Sequence, residues 1–278
     1  MVFRFKNLQK HPVYALDGEI GPIKDILFDD RTWSVRYISP DTNKWLPGKK
    51  VVLSPESFII EREADRSKAV KINLTKKKIE EAPLLDDHLP VSRQYETLLS
   101  EHFSWEPYWI TPLPIGLTPY PPVGSVVPPN LGGMHRAEWE ELQMIRDAQF
   151  DGHLRSLTEI TGYKIGTEDD QTFGEVTDVI VNQTDWLVVD LVMNSRKWMP
   201  GGKEFVCSPF FVKSVDDVKK VIHIAQTKEA ILRSPDFDFA TYGETYRTEL
   251  VRHYCTDSGN PSQPFSSRNP QESPGSML

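Results

Sequence analysis

The chain has 278 residues, 38% of them hydrophobic and 26% charged, with a formal net charge of -8 and a mean hydropathy of -0.44. A net negative field disfavours nucleic acid and anionic membrane as general partners, and no apolar run reaches the roughly 18–20 residues that cross a bilayer. Two cysteines, Cys207 and Cys255, exclude a disulfide framework and have no metal-ligand spacing. The opening residues lack the apolar core of a signal peptide, so the expected location is the cytoplasm, with peripheral membrane association left open.

In chain order, the first half reads as short strands bounded by turn residues. Asp29-Asp30-Arg31-Thr32 forms a four-residue hairpin loop between two apolar runs. Trp33, Val35 and Tyr37 alternate with polar residues, as a half-buried strand requires. A turn at Asp41-Thr42-Asn43 precedes Trp45, and a later hairpin turns near Asp65-Arg66-Ser67. Thr75 is placed to cap a short helix that Pro83 ends. Tyr95, Leu98, Leu99 and His102 then fall on one stripe of a second helix.

Residues 106–134 hold eight prolines and four glycines, which predicts an extended linker. Its Tyr108, Trp109 and Tyr120 argue for a stretch lying against a folded module. Residues 135–150 read as a helix with Trp139, Leu142 and Ile145 on a shared face. From about residue 257 the sequence is rich in Ser, Pro, Asn and Gln, which predicts a disordered tail.

Between linker and tail the first pattern returns. Gly21, Asp25, Trp33, Lys44, Trp45, Pro47 and Gly48 fall without a gap on Gly174, Asp178, Trp186, Lys197, Trp198, Pro200 and Gly201. One added residue then brings Ser54-Pro55 onto Ser208-Pro209. Upstream, Leu8 and Tyr14 are matched with Leu157 and Tyr163. Downstream, Thr75 and Pro83 meet Thr227 and Pro235, while Tyr95, Leu99 and His102 meet Tyr246, Leu250 and His253. The predicted fold is mainly β: two small curled sheets that close into barrels, with short accessory helices and a Pro-rich linker. The expected segments are a module over 1–105, linker and helix over 106–152, a second module over 153–256, and a tail over 257–278.

The run from Asp17-Gly-Glu-Ile-Gly21 through Asp25, Phe28-Asp-Asp30, Trp33-Ser-Val-Arg-Tyr37 and Trp45-Leu-Pro-Gly-Lys49 resembles the PRC-barrel family. Ser92-Arg-Gln-Tyr-Glu96 ahead of Tyr108-Trp109 is similar to segments in two-module members. The second copy resembles the family more loosely, with Asn-Gln where the first has Asp-Asp. The resemblance implies a small β-barrel used for protein–protein association, known from the cytoplasmic part of the photosynthetic reaction-centre H subunit and from a ribosome maturation factor. No cofactor is expected.

Candidate residues follow from the repeat. Asp25 and Asp178 are matched acids, read either as proton-handling or metal-binding carboxylates or as strand residues bonded to backbone amides. His102 and His253 are matched histidines, read as pH sensors, metal ligands or helix-packing groups. Trp45 and Trp198 are the candidate interaction surface, because aromatics dominate association energy. No catalytic, cofactor or metal residue is assigned. The function expected is a non-enzymatic scaffold that binds other proteins or itself, its two modules mimicking a dimer. Alternatives are an accessory of a photosynthetic reaction centre that assists assembly or proton entry, and a metal-dependent or acid/base enzyme. Ribosome assembly is disfavoured by the acidic charge.

Overall fold

The structure is a computed structural model that describes residues 2–59, 70–83, 91–108, 154–169, 171–196 and 202–257. The first half runs β1 (Val2–Arg4), α1 (Phe5–Leu8), β2 (Pro12–Ala15), β3 (Gly18–Asp29), β4 (Val35–Pro40), β5 (Phe58–Ile59), β6 (Val70–Ile72), α2 (Lys76–Glu80) and α3 (Arg93–Phe103). The second repeats that order with one strand more, β11: β7 (Leu154–Ser156), α4 (Leu157–Ile160), β8 (Lys164–Gly166), β9 (Thr172–Asn182), β10 (Leu187–Asn194), β11 (Glu204–Cys207), β12 (Val212–Asp216), β13 (Val221–Ile224), α5 (Lys228–Leu232) and α6 (Glu244–Asp257). The mainly β reading holds. The Pro-rich linker from residue 109, the helix over 135–150, the hairpin near residue 66, Trp198 and the tail from 258 lie outside the described residues.

One sheet has the order β4-β3-β2-β6-β5 and the other β11-β10-β9-β8-β13-β12. In the second, the end strands β11 and β12 are consecutive in sequence, joined by Ser208 and the 3-10 turn Pro209–Phe211. A sheet whose two ends meet through so short a connection must curl upon itself. The first sheet does the same: Leu53 bridges Ile38 beside β4, and the Ser54-capped turn Pro55–Ser57 leads to β5 at the far end. The ends are thus tied by the chain itself. Among the described residues, β11 and β12 do not pair with each other.

Matched residues carry matched local duties. Thr75 and Thr227 cap α2 and α5 by accepting from Lys78 N and Ala230 N. Lys49 and Lys203 reach the carbonyls of Glu80 and Ser234 at the C-terminal ends of those helices. Both long hairpins carry two bulges at corresponding places, after Ile23 of β3 and Val176 of β9 and at Arg36 of β4 and Val189 of β10. Structure corrects the two upstream sequence matches, Leu8 with Leu157 and Tyr14 with Tyr163. Phe5 and Leu8 of α1 correspond to Leu157 and Ile160 of α4, so Leu8 pairs with Ile160 and not with Leu157, all four being buried. His11, whose carbonyl accepts from Ile23 N, takes the place of Tyr163, whose carbonyl accepts from Val176 N.

The hairpins differ from expectation at their tips. Trp33 and Trp186 do not open the following strands; they close the loops, with φ of 58° and 52°. Left-handed backbone is uncommon for so large a residue. Asp29 Oδ1 steadies the first loop by accepting from Arg31 N and Thr32 N, and Asn182 Oδ1 steadies the second by accepting from Thr184 N. That is the backbone-bonding role expected of a turn aspartate.

Each sheet also contains a strand from the other half. β1 pairs with β9 through Val2–Asn182, Phe3–Val181 and Arg4–Ile180, and β7 pairs with β3 through Leu27–Ser156, Phe28–Arg155 and Asp29–Leu154. At the centre Ser34 bridges Leu187. There Val35 N donates to Trp186 O at 2.8 Å and Val188 N to Trp33 O at 2.8 Å. These contacts are reciprocal, as a pseudo-twofold axis through Ser34 and Leu187 requires. The buried side chains from Phe5 to Tyr254 form a single continuous core cluster.

Gly21 and Gly174 show why two conserved-looking letters of the repeat are glycine. At Gly21, φ is +146° and a Cβ would lie 1.9 Å from Asp41 O; at Gly174, φ is +71° and a Cβ would lie 3.0 Å from Asn194 O. Gly21→Ala must therefore displace backbone, whereas Gly174→Ala meets a tight but tolerable contact in a left-handed conformation. Urea unfolding should show a loss of about 3 kcal/mol or more for Gly21→Ala and about 1–2 kcal/mol for Gly174→Ala. Equal losses would contradict the geometry.

Candidate functional site

The matched acids lie where the halves exchange segments. The bulge after Ile23 and its counterpart after Val176 lie beside Asp25 and Asp178. Each carboxylate first accepts from the next amide: Ile26 N to Asp25 at 2.8 Å and Val179 N to Asp178 at 2.9 Å. Each then receives the entry segment of the other half. Asp178 accepts from Lys6 N at 3.1 Å and Arg4 Nε at 2.8 Å; Asp25 accepts from Thr158 N at 3.1 Å and Ser156 Oγ at 2.6 Å. Lys6 and Thr158 lie in the first turns of α1 and α4, so each acid anchors a helix start that has few other acceptors. Asp178 is 1% exposed, and Arg4 balances its charge; Asp25 is half-buried and uses a neutral hydroxyl in that place.

The other side of the exchange is ionic on one half and aromatic on the other. Arg155 of β7 reaches Asp30 and Asp217, each at 3.0 Å. Tyr163 OH donates to Asp217, and Lys220 contacts Tyr163 OH and Glu159. At the equivalent position of β1, Phe3 stands edge-on to His11, ring centroids 6.4 Å apart.

The matched histidines are placed elsewhere. His102 Nε2–H donates to Lys78 O and His253 Nε2–H to Ala230 O, both at 2.8 Å, so each ties the last helix of its half to the short capped helix. Tyr95 OH and Tyr246 OH bond the carbonyls of Pro83 and Pro235, both at 3.3 Å, completing the same latch. Among the described residues no hydrogen bond joins either acid to either histidine, and no group of three or more His, Cys, Asp and Glu is placed to hold a metal. Trp45 is half-buried; its Nε1–H donates to Ile20 O at 2.9 Å, and Lys76 Nζ lies 5.3 Å over its ring. Its proposed companion Trp198 lies outside the described residues.

Two polar clusters escaped the sequence comparison. In the second half, Asp190 of β10 is 1% exposed; its Oδ2 accepts from Arg247 Nε at 3.1 Å and from Tyr242 OH, while its Oδ1 is without a partner. In the first half, Glu96 of α3, 3% exposed, bonds Arg93 and Tyr108 OH, each at 2.9 Å. The Arg36 guanidinium lies 3.9 Å over the Tyr108 ring. This holds Tyr108 against the first half, while Trp109 and Tyr120 lie outside the described residues. Glu96 stands at the α3 position that Arg247 holds on α6, and Tyr37 stands where β10 has Asp190. Sheet and helix are thus joined by polar pairs of interchanged type. A search for identical letters passes over such positions; only asking which letters change together would find them.

With that geometry in place, the class is a small curled β-sheet domain with a latched helix pair. Residues 153–231 match the PRC-barrel domain family, so the second half of the chain carries a PRC-barrel domain. The PRC-barrel family is one of small non-catalytic β-barrel modules that often mediate protein interaction. No curated protein matches the chain. No described helix is long and apolar enough to cross a membrane.

Burial pushes the Asp190 carboxyl up to about 6, against the opposing pull of Arg247 and the Tyr242 hydroxyl. A carboxyl that holds its proton more tightly when folded adds stability below its unfolded pKa and loses it as pH rises through the folded value. The gain is therefore complete below about pH 4 and gone above about pH 6, on the order of 3 kcal/mol in all. Asp190→Asn should unfold at higher urea than the parent at pH 7.5, and the two should converge towards pH 4. An Asn variant less stable than the parent at pH 7.5 would show that the ion pair with Arg247 outweighs burial.

Proposed function

We propose that the chain is a cytoplasmic, non-enzymatic tandem of PRC-barrel modules, divided at 1–105 and 153–256 with a connecting segment over 106–152, that serves as a scaffold for other proteins. The observation that supports this most is where the repeated polar groups go. Asp25, Asp178, His102 and His253 are the residues a shared chemistry would use, and all four are engaged in internal hydrogen bonds. Groups bound in this way hold segments together and are poorly placed to turn over a substrate. The PRC-barrel domain of the second half favours the same reading.

The surface offered to a partner includes Trp45, whose ring is half-buried beside Lys76, with Trp198 as its counterpart in the repeat. A partner isolated with the full chain as bait should bind the purified protein directly in calorimetry. Trp45→Ala with Trp198→Ala should weaken that binding by about 30-fold or more if these rings are anchors. Circular dichroism must show the variant folded, since Trp45 also bonds Ile20 O. Wild-type affinity in the folded double variant would remove the tryptophans from the surface. Stoichiometric metal in the purified protein, lost in Asp25→Asn and Asp178→Asn, would instead favour an enzyme.

A further inference from the structure

The reciprocal exchange has a consequence for which surface is free and which is already used. Neither half has a complete sheet from its own residues: the edge of β9 is covered by β1 and that of β3 by β7. Helices α1 and α4 follow those strands across and pack on β9 and β3, carrying the buried Phe5 and Leu8 in one case and Leu157 and Ile160 in the other. Taken apart, each half would expose an unpaired strand edge, an unanchored carboxylate at Asp25 or Asp178, and the apolar floor on which the other's helix rests. Trp33 and Trp186, 4% and 8% exposed, would lose the carbonyl-to-amide bonds that cross the centre.

We infer that each half is the other's binding partner: the module's association face is filled within the chain, and the halves stay bound when the connection over 109–153 is cut. This does not depend on the scaffold reading, since it concerns the contact between the halves and not the outward surface. The contacts suffice in kind. They combine two edge-strand additions, a central bridge, the Arg4–Asp178 and Arg155–Asp30 pairs and a shared apolar core.

The test keeps the full chain. A site-specific protease sequence is placed within residues 109–153, cutting is driven to completion as judged on a denaturing gel, and the product is passed over size exclusion with light scattering at micromolar concentration. The expected result is one peak with the mass of the intact chain, containing both fragments in equal amounts. Separate fragment masses, or aggregation of either fragment after cutting, would overturn the inference.

Hydrogen exchange on the uncut protein gives an independent reading. The amides of Val35 and Val188 should be protected within about tenfold of those in the centres of β3 and β9, because opening the junction should require opening the whole particle. Exchange there faster by 100-fold or more would mean that the halves part while each remains folded. In the cut protein, Asp25→Asn with Asp178→Asn should raise the concentration at which fragments separate by about 10-fold or more. A shift below twofold would show that the exchanged segments contribute nothing to holding the halves together. Loss of a scaffold partner would leave all three readings unchanged, so the two proposals fail separately.

Discussion

The central constraint is the antiparallel contact in which Trp33 and Trp186 each give a carbonyl to the amide of the opposite strand, Val188 and Val35. A β-branched or aromatic residue in left-handed backbone is disfavoured by on the order of 1–2 kcal/mol. Here that conformation occurs twice at equivalent loop ends. It closes each hairpin, buries the indole and turns the following carbonyl towards the other half. Phe28 stacks on Trp33 within the first half, whereas Phe58 of the first half stands edge-on to Trp186 of the second. The tryptophans therefore belong to the junction as much as to either sheet.

From that contact the exchanged strands follow. Once the two hairpin tips are joined back to back, the outer edges of β3 and β9 lie open beside the entry segments of the opposite halves. An open edge is a liability, and pairing removes it. The acids then have a clear place: a strand of three residues followed at once by a one-turn helix has little intrinsic stability, and a carboxylate that accepts the helix-start amide fixes where strand ends and turn begins. The two halves meet this need with different chemistry. Arg4 with Asp178 is a charged pair, while Ser156 with Asp25 is a hydroxyl–carboxylate bond. Position is retained and sign is free to vary.

How much of this could be read from the letters depends on how local each constraint is. Helix caps at Thr75 and Thr227, the latch residues Tyr95, His102, Tyr246 and His253, and the glycines at 21 and 174 each answer to a near neighbour in the fold, and each reappears in both copies. They were legible. The tryptophan positions were legible too, but their backbone was not, since alternation of Trp33, Val35 and Tyr37 looks the same whether the strand begins at Trp33 or at Val35. The entry strands were not legible. Three residues carry no period, and their partners lie in the other half, so similarity of letters aligned Leu8 with Leu157 where contacts align it with Ile160. The Glu96 and Asp190 clusters were hidden by compensation: where one half has a helix acid the other has a helix base.

That compensation bears on what a chain with two like halves can do that a pair of identical subunits cannot. In a symmetric dimer every outward feature appears twice, and a change made to suit a partner on one face is imposed on the other. A single chain with two like halves escapes this while keeping the shared core. The junction already shows the freedom in use, with Arg155 held between Asp30 and Asp217 on one side and Phe3 against His11 on the other. The sheet-to-helix clusters show it again, Tyr108 reaching Glu96 from beyond α3 and Tyr242 reaching Asp190 from ahead of α6. Interior positions that must serve both halves, such as the two tryptophan turns, keep their symmetry, while positions that serve one half have diverged.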